Sequence, residues 1–198
     1  MVARLVNMGE LAEYRRIAKI DEIARRVLAN NGFDGVLTMI GVLMGSWVAG
    51  VEDPHIVLST GLATCAAMGI SGAWGSYMAE SAERKHAMAE LEMAMLRNMD
   101  DSTQARAGRF AVIVITLLDG LSPLVAGMFA LVPFLFSQLF PNITYMYVGG
   151  LAMALVVLFG LGAFLASVAR ENVIKSGVRM ILAGVVCVGV SLLISLKR

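Results

Sequence analysis

Two aspartates stand inside long apolar runs of this chain, and glycine follows each: Phe33-Asp34-Gly35 and Leu118-Asp119-Gly120. An ionisable group in hydrocarbon costs at least ~3 kcal/mol, so such a residue faces a cavity, a partner or an ion path. A second group able to do chemistry follows the second apolar run. Glu80, Glu83, His86, Glu90 and Glu92 lie there, with Asp100 and Asp101 beyond. Glu83, His86 and Glu90 fall at i, i+3 and i+7 and share one face of a helix. Carboxylates joined by an imidazole suit Fe²⁺, Mn²⁺ or Zn²⁺, and Glu-x-x-His on a helix is a di-iron carboxylate pattern. The alternative is a solvated face on which Arg84 and Lys85 pair with the acids.

Four methionines, Met88, Met93, Met95 and Met99, cluster in the same segment. Exposed Met gains little in water, so these four are expected to touch a partner helix or to serve as soft ligands. Asp34 has an alternative role as a helix N-cap at the membrane edge. Asp119 lies ~15 Å of helix rise beyond Arg109, near the bilayer midplane. There a protonated carboxyl bonded to Ser or Thr competes with a proton or cation site.

The elements that must position these groups are helices in a bilayer. Of 198 residues, 58% are hydrophobic, which is rare for a soluble domain. Apolar runs at about 34–51, 56–79, 110–137, 144–168 and 180–196 approach or exceed the ~20 residues that cross hydrocarbon. The expected fold is an all-α integral membrane protein with five transmembrane helices. It divides into a cytoplasmic amphipathic helix (1–32), two spans (33–79), a short acidic and Met-rich hairpin (80–106) and three further spans (107–198).

Residues 5–29 carry Leu11, Tyr14, Ile17, Ile20, Ile23 and Val27 at three- or four-residue steps. Such a helix lies on the cytoplasmic membrane face or docks against the inner loop. Asn30-Asn31-Gly32 is expected to break it and turn the chain into the bilayer. Small residues from Gly61 to Ser76 predict close packing of the second span, across a dimer in one reading. Residues 77–98 lack Gly and Pro, so this span should continue into the cytoplasm as one long helix ending near 98–101. Asp101-Ser102-Thr103 then offers an N-cap. Asp34-Gly35 with Gly41, and Asp119-Gly120 with Gly127, form a faint repeat of imperfect register; chance explains it equally well.

Charge placement predicts orientation. Arg4, Arg15, Arg16, Lys19, Arg25 and Arg26 precede the first run, and Arg84, Lys85, Arg97, Arg106 and Arg109 separate the second from the third. Arg170, Lys175 and Arg179 separate the fourth from the fifth. The other loops carry no Lys or Arg, so the N-terminus is expected inside and the C-terminus outside. Only Lys197 and Arg198 oppose this. The first 32 residues are charged and helix-like, unlike a cleavable signal. A net charge of +1 gives no argument for nucleic acid. Cys65 and Cys187 fall inside spans as small hydrophobes, without disulfide or zinc spacing.

Three stretches resemble the vacuolar iron transporter family, five-span proteins that export Fe²⁺ or Mn²⁺ from the cytoplasm in exchange for protons. They are Val27-Leu28-Ala29-Asn30-Asn31-Gly32-Phe33-Asp34-Gly35, the run from Gly61-Leu62-Ala63 through Ile70-Ser71 and Gly75-Ser76-Tyr77-Met78-Ala79 to Glu83 and His86, and Gly120-Leu121-Ser122 through Gly127 to Pro133-Phe134. The resemblance covers residues 27–134, and its middle stretch is the most specific. Where the family carries second-span carboxylates, this chain has Thr64 and Ser76; where it carries Met, this chain has Gly72. Asp119 replaces an uncharged family position, and the cytoplasmic hairpin is shorter than that of iron-storing members.

The resemblance implies a proton-coupled divalent-metal transporter; a homodimer is expected, and a prokaryotic plasma membrane fits the compact chain without a storage-organelle signal. Its partners would be lipid, divalent metal ions and protons, with no permanently bound cofactor. Glu80, Glu83, His86 and Glu90 would capture metal, and Asp34 would form the membrane entrance. Asp119 would hold the ion or counter-proton near mid-membrane, with Thr64 and Met68 completing the path. The competing readings are a non-transporting scaffold or metal sensor and a membrane enzyme. Neither Asp has a second Asp within a turn, as a head-group transferase site needs, and His55 and His86 are expected on opposite sides of the membrane.

Overall fold

The computed structural model of the chain describes residues 8–100 and 102–195. Arg4, the start of the expected amphipathic helix, the side chain of Leu11, Asp101, Lys197 and Arg198 lie outside the described residues. The elements are α1 (Met8–Ile17), α2 (Ile20–Val48), α3 (Pro54–Met95), α4 (Thr103–Phe129), α5 (Val132–Leu135), α6 (Ile143–Ala169) and α7 (Val173–Ser195). Five of them, α2, α3, α4, α6 and α7, are long and apolar enough to cross a membrane. The chain is an all-α integral membrane protein. With 42 residues, α3 is ~63 Å long, about twice the ~30 Å of a hydrocarbon core. The long helix that Ala, Glu, Met, Leu and Arg favour beyond residue 77 therefore forms, but it ends at Met95 instead of near 98–101.

Two compact units divide the chain: residues up to Leu28 with Ser71–Gly120, and Ala29–Ile70 with Leu121–Arg198. In the first, Tyr14, Ala18 and Ile20 pack on Ala107, Ala111 and Ile115 of α4. The Tyr14 and Phe110 rings are 6.1 Å apart. Small alanines on α4 let the amphipathic face seat closely, so it docks on protein rather than lying free. In the second unit, Val36, Met39, Ile40 and Leu43 recur at helical steps along α2 and pack with Phe134, Tyr147 and Leu158. Tyr147 is fully buried, and its hydroxyl donates to the Val51 carbonyl at 2.9 Å. Its ring stacks on Trp47 at 5.6 Å and meets Phe134 edge-on at 5.3 Å. Gly162 lets α6 approach α7, since a Cβ there would sit 2.7 Å from the Ser176 carbonyl oxygen.

Several expected boundaries move. Asn30-Asn31-Gly32 does not break the chain: α2 runs through all three residues. Gly32 is buried, and a Cβ on it would meet Ser122 Oγ at 3.2 Å and Leu161 at 3.3 Å. It is present for close packing, which outweighs a helix-propensity cost of about 1 kcal/mol. The break comes earlier, where Lys19 adopts φ 49° between α1 and α2. The third span stops at Phe129 instead of reaching residue 137. Pro133, unable to donate to a continuing ladder, lies in the first turn of the four-residue α5, and a 3₁₀ turn covers Ser137–Leu139.

At its start, α3 places Pro54 first, and Asp53 Oδ1 accepts the His55 N–H at 2.8 Å. At its end, Leu96 turns left-handed (φ 51°), and Glu92 Oε1 accepts the Met99 N–H at 2.7 Å. Ser102 supplies the N-terminal cap of α4: its Oγ accepts the Ala105 N–H at 3.1 Å. Cys65 is buried, Cys187 half-buried, and both are free thiols.

Candidate metal path and its surroundings

Asp34 lies in the interior of α2, with its carbonyl accepting the Thr38 hydroxyl at 2.8 Å. An interior position rules out the helix N-cap role. The residue is exposed, while Gly35 beside it is buried. A Cβ on Gly35 would fall 2.4 Å from the Pro123 carbonyl oxygen and 2.6 Å from its Cα. The glycine of this Asp-Gly pair marks a helix crossing, and the aspartate is carried beside it, uncovered by protein. Thr64 is half-buried and donates its hydroxyl to the Thr60 carbonyl at 2.8 Å. Its oxygen lone pairs remain the only part it can offer a cation. Met68 is half-buried and packs on the apolar core.

Asp119 is half-buried on α4. Its backbone carbonyl stands at the crossing with α3: a Cβ on Gly72 would be 2.8 Å from that oxygen. Proline at 123 has no N–H to give the carbonyl four residues earlier, which is that of Asp119. The sequence signal was available in the Asp119-x-x-x-Pro123 spacing, but sequence reading weighed only the carboxylate. Ser76, one turn along α3 from Gly72, is also buried.

Between residues 80 and 92, α3 has two chemically opposite faces. Glu83, His86 and Glu90 share one of them, all exposed. His86 Nδ1 is 3.8 Å from Glu90 Oε1, with both side chains about two-thirds or more open. Glu80 stands apart from this pair and faces Arg84 Nε at 3.4 Å. Among the described residues, no group of three or more His, Cys, Asp or Glu lies close enough to hold a metal ion. The other face carries Ser81, Arg84, Lys85, Met88 and Leu91 into a cavity. Of the clustered methionines, Met99 is buried and Met88 lines that cavity, but Met93 and Met95 are exposed. The contacts expected of all four are thus made by two.

The model of the VIT family matches residues 30–107. Over that stretch, less than half of the chain, the sequence is similar to the VIT family. Asp34, Thr64, Met68, Glu80, Glu83, His86 and Glu90 all fall within it, and Asp119 lies outside. An uncharacterized protein of Methanocaldococcus jannaschii is 28% identical over 172 residues, covering 85% of this chain and 86% of that one. The likeness therefore runs well beyond the VIT-family segment and takes in Asp119's helix.

The departures in the VIT-family segment acquire a physical setting. Gly72, where the resemblance expects Met, lies directly against Asp119's backbone. A side chain is missing on α3 where a carboxylate-bearing residue approaches on α4.

Proposed function

We propose that this chain is a divalent metal-cation transporter that moves Fe²⁺ or Mn²⁺ out of the cytoplasm in exchange for protons. The observation that carries the reading is a VIT-family segment whose membrane aspartate sits in one of five spanning helices. VIT-family members are transporters, which argues against an enzyme. Asp34 is the entrance carboxylate, uncovered within its helix. Asp119 binds the ion or the counter-proton, using its carboxylate and the carbonyl that Pro123 leaves without its helical donor. Gly72 is the space that makes this arrangement possible. Thr64 and Met68 contribute a hydroxyl oxygen and a thioether along the way. Glu83, His86 and Glu90, with Glu80 nearby, collect metal from the cytoplasm on an open face that suits fast capture and release.

The protein works as a homodimer in a prokaryotic plasma membrane, N-terminus inside and C-terminus outside. The uncovered row Ala63, Ala66, Ala67, Ile70 and Trp74 on α3 is available to a second copy or to lipid. A scaffold or metal sensor that does not transport is the second reading, favoured by Thr64, Gly72 and Ser76 standing where the family resemblance expects carboxylates and Met. Proteoliposome flux decides between them. Purified protein with an imposed pH gradient should move Fe²⁺ or Mn²⁺ in preference to Zn²⁺ and Co²⁺, and dissipate the gradient as it does so. Metal binding without flux would replace the transporter by the sensor.

A further inference from the structure

The cavity beside α3 has a volume of about 410 Å³ and lies wholly within the first compact unit. Three cationic side chains line it, Arg84 and Lys85 from α3 and Arg109 from α4, against one carboxylate, Asp100. Asp100 is already engaged. Its Oδ2 accepts Asn98 Nδ2 at 3.1 Å, and its carbonyl accepts Arg109 Nη2 at 3.3 Å. Arg84 Nε is buried without a hydrogen-bond partner, its 3.4 Å approach to Glu80 being an ion-pair contact only. A buried guanidinium donor left unsatisfied is costly, and an anion in the cavity would relieve that cost. The remaining wall is apolar, with Ile17, Met88, Leu91 and Val112. A cation-rimmed, oil-walled cavity suits neither a metal ion nor a purely apolar ligand.

Its position selects among anions. Arg84 and Lys85 follow the apolar run of α3, and Arg109 precedes that of α4. These are the same ends of two consecutive membrane-crossing helices, so the cations stand at headgroup depth. Basic pockets between membrane helices at this depth hold anionic lipid headgroups. We infer that this cavity is a binding site for a phosphate-bearing anion, with Arg84, Lys85 and Arg109 on the phosphate and the Met88–Leu91–Val112 wall on an attached apolar chain. This site is independent of metal transport, and its occupant would tie α1, α3 and α4 together.

The test uses the full-length protein, metal-free, in an uncharged detergent, with thermal stability followed during titration. The probes are phosphatidylglycerol, phosphatidylcholine and inorganic phosphate. Phosphatidylglycerol should stabilise saturably where phosphatidylcholine does not, and Arg84→Gln or Arg109→Gln should weaken the effect about tenfold. Arg97→Gln, which lies outside the cavity, should leave it unchanged. Saturable stabilisation by inorganic phosphate alone, lost in the same variants, keeps the site and makes its ligand a soluble phosphate. Should Arg84→Gln fail to fold, the exposed Lys85→Gln carries the measurement, read as retained lipid by native mass spectrometry. The proposal is overturned if neither probe stabilises, or if folded variants bind phosphatidylglycerol as the unaltered protein does.

Discussion

The two Asp-Gly pairs look alike in sequence and are used differently. In Asp34-Gly35 the glycine makes the helix crossing, against the Pro123 backbone, and the aspartate stays exposed at its side. In Asp119-Gly120 the aspartate's own carbonyl lies at the crossing, and the glycine that admits it, Gly72, belongs to the other helix. Close approach in a membrane needs a missing side chain somewhere, because packing rather than hydrophobicity holds the helices together. Which helix supplies the gap decides whether the neighbouring carboxylate is displayed or half-enclosed. The two Asp-Gly pairs thus share a sequence pattern without sharing a geometry.

That contrast can be broken most forcefully at Gly35. Gly35→Val places methyl groups in the Pro123 backbone and should destabilise by about 3 kcal/mol, seen as a large drop in the melting temperature of purified protein. Gly72→Met, which restores the residue the family resemblance expects, should cost about 2 kcal/mol, because only a single carbonyl blocks it. A melting temperature equal to that of the unaltered chain would mean the crossing at Asp119 is not tight. Asp119→Asn should keep the fold and lower metal flux at least about tenfold, the loss of one charged interaction of ~1.4 kcal/mol or more. Normal flux in proteoliposomes would remove Asp119 from the path.

Smaller effects are expected away from the crossings. His86→Ala disrupts an exposed pair worth at most ~1 kcal/mol, so the metal concentration for half-maximal flux should rise by about fivefold or less with unchanged stability. A complete loss of flux would show that the open face is a true ligand cluster in the working state. Gly75→Ala meets no atom within 4 Å of the added Cβ and should stabilise by about 0.5–1 kcal/mol. A loss of stability there would reveal a tight contact at this face with a neighbouring molecule.

Much of the architecture was legible because a bilayer imposes a length. Each of the five apolar runs needs a helix to satisfy its backbone in oil, and each contains one long enough to cross. The continuation of α3 followed from propensity over a stretch free of Gly and Pro. Asn30-Asn31-Gly32 is ambiguous in sequence, because the same glycine that ends a helix in water permits close packing inside a bundle. Its role depends on Ser122 and Leu161, about 90 and 130 residues further along the chain. The docking of Tyr14 and Ile20 on α4 is not legible in sequence for a similar reason, since an apolar stripe does not name what covers it.

The candidate site divides along the same line. Asp34, Asp119 and the Glu83–His86–Glu90 face were visible as residue types at meaningful spacing. The cationic cavity was not, because Arg84, Lys85 and Arg109 read as orientation charges and partners for the acids until α1, α3 and α4 bring Ile17, Met88 and Val112 around them. Sequence alone determined the helices and the placement of the acids along them, since hydrocarbon thickness and helical period are local constraints. Tertiary structure alone decided which acid is displayed, which carbonyl meets a neighbour and which charges share a cavity. Those outcomes depend on backbones approaching to within a few ångströms, and the identities of distant residues control that approach.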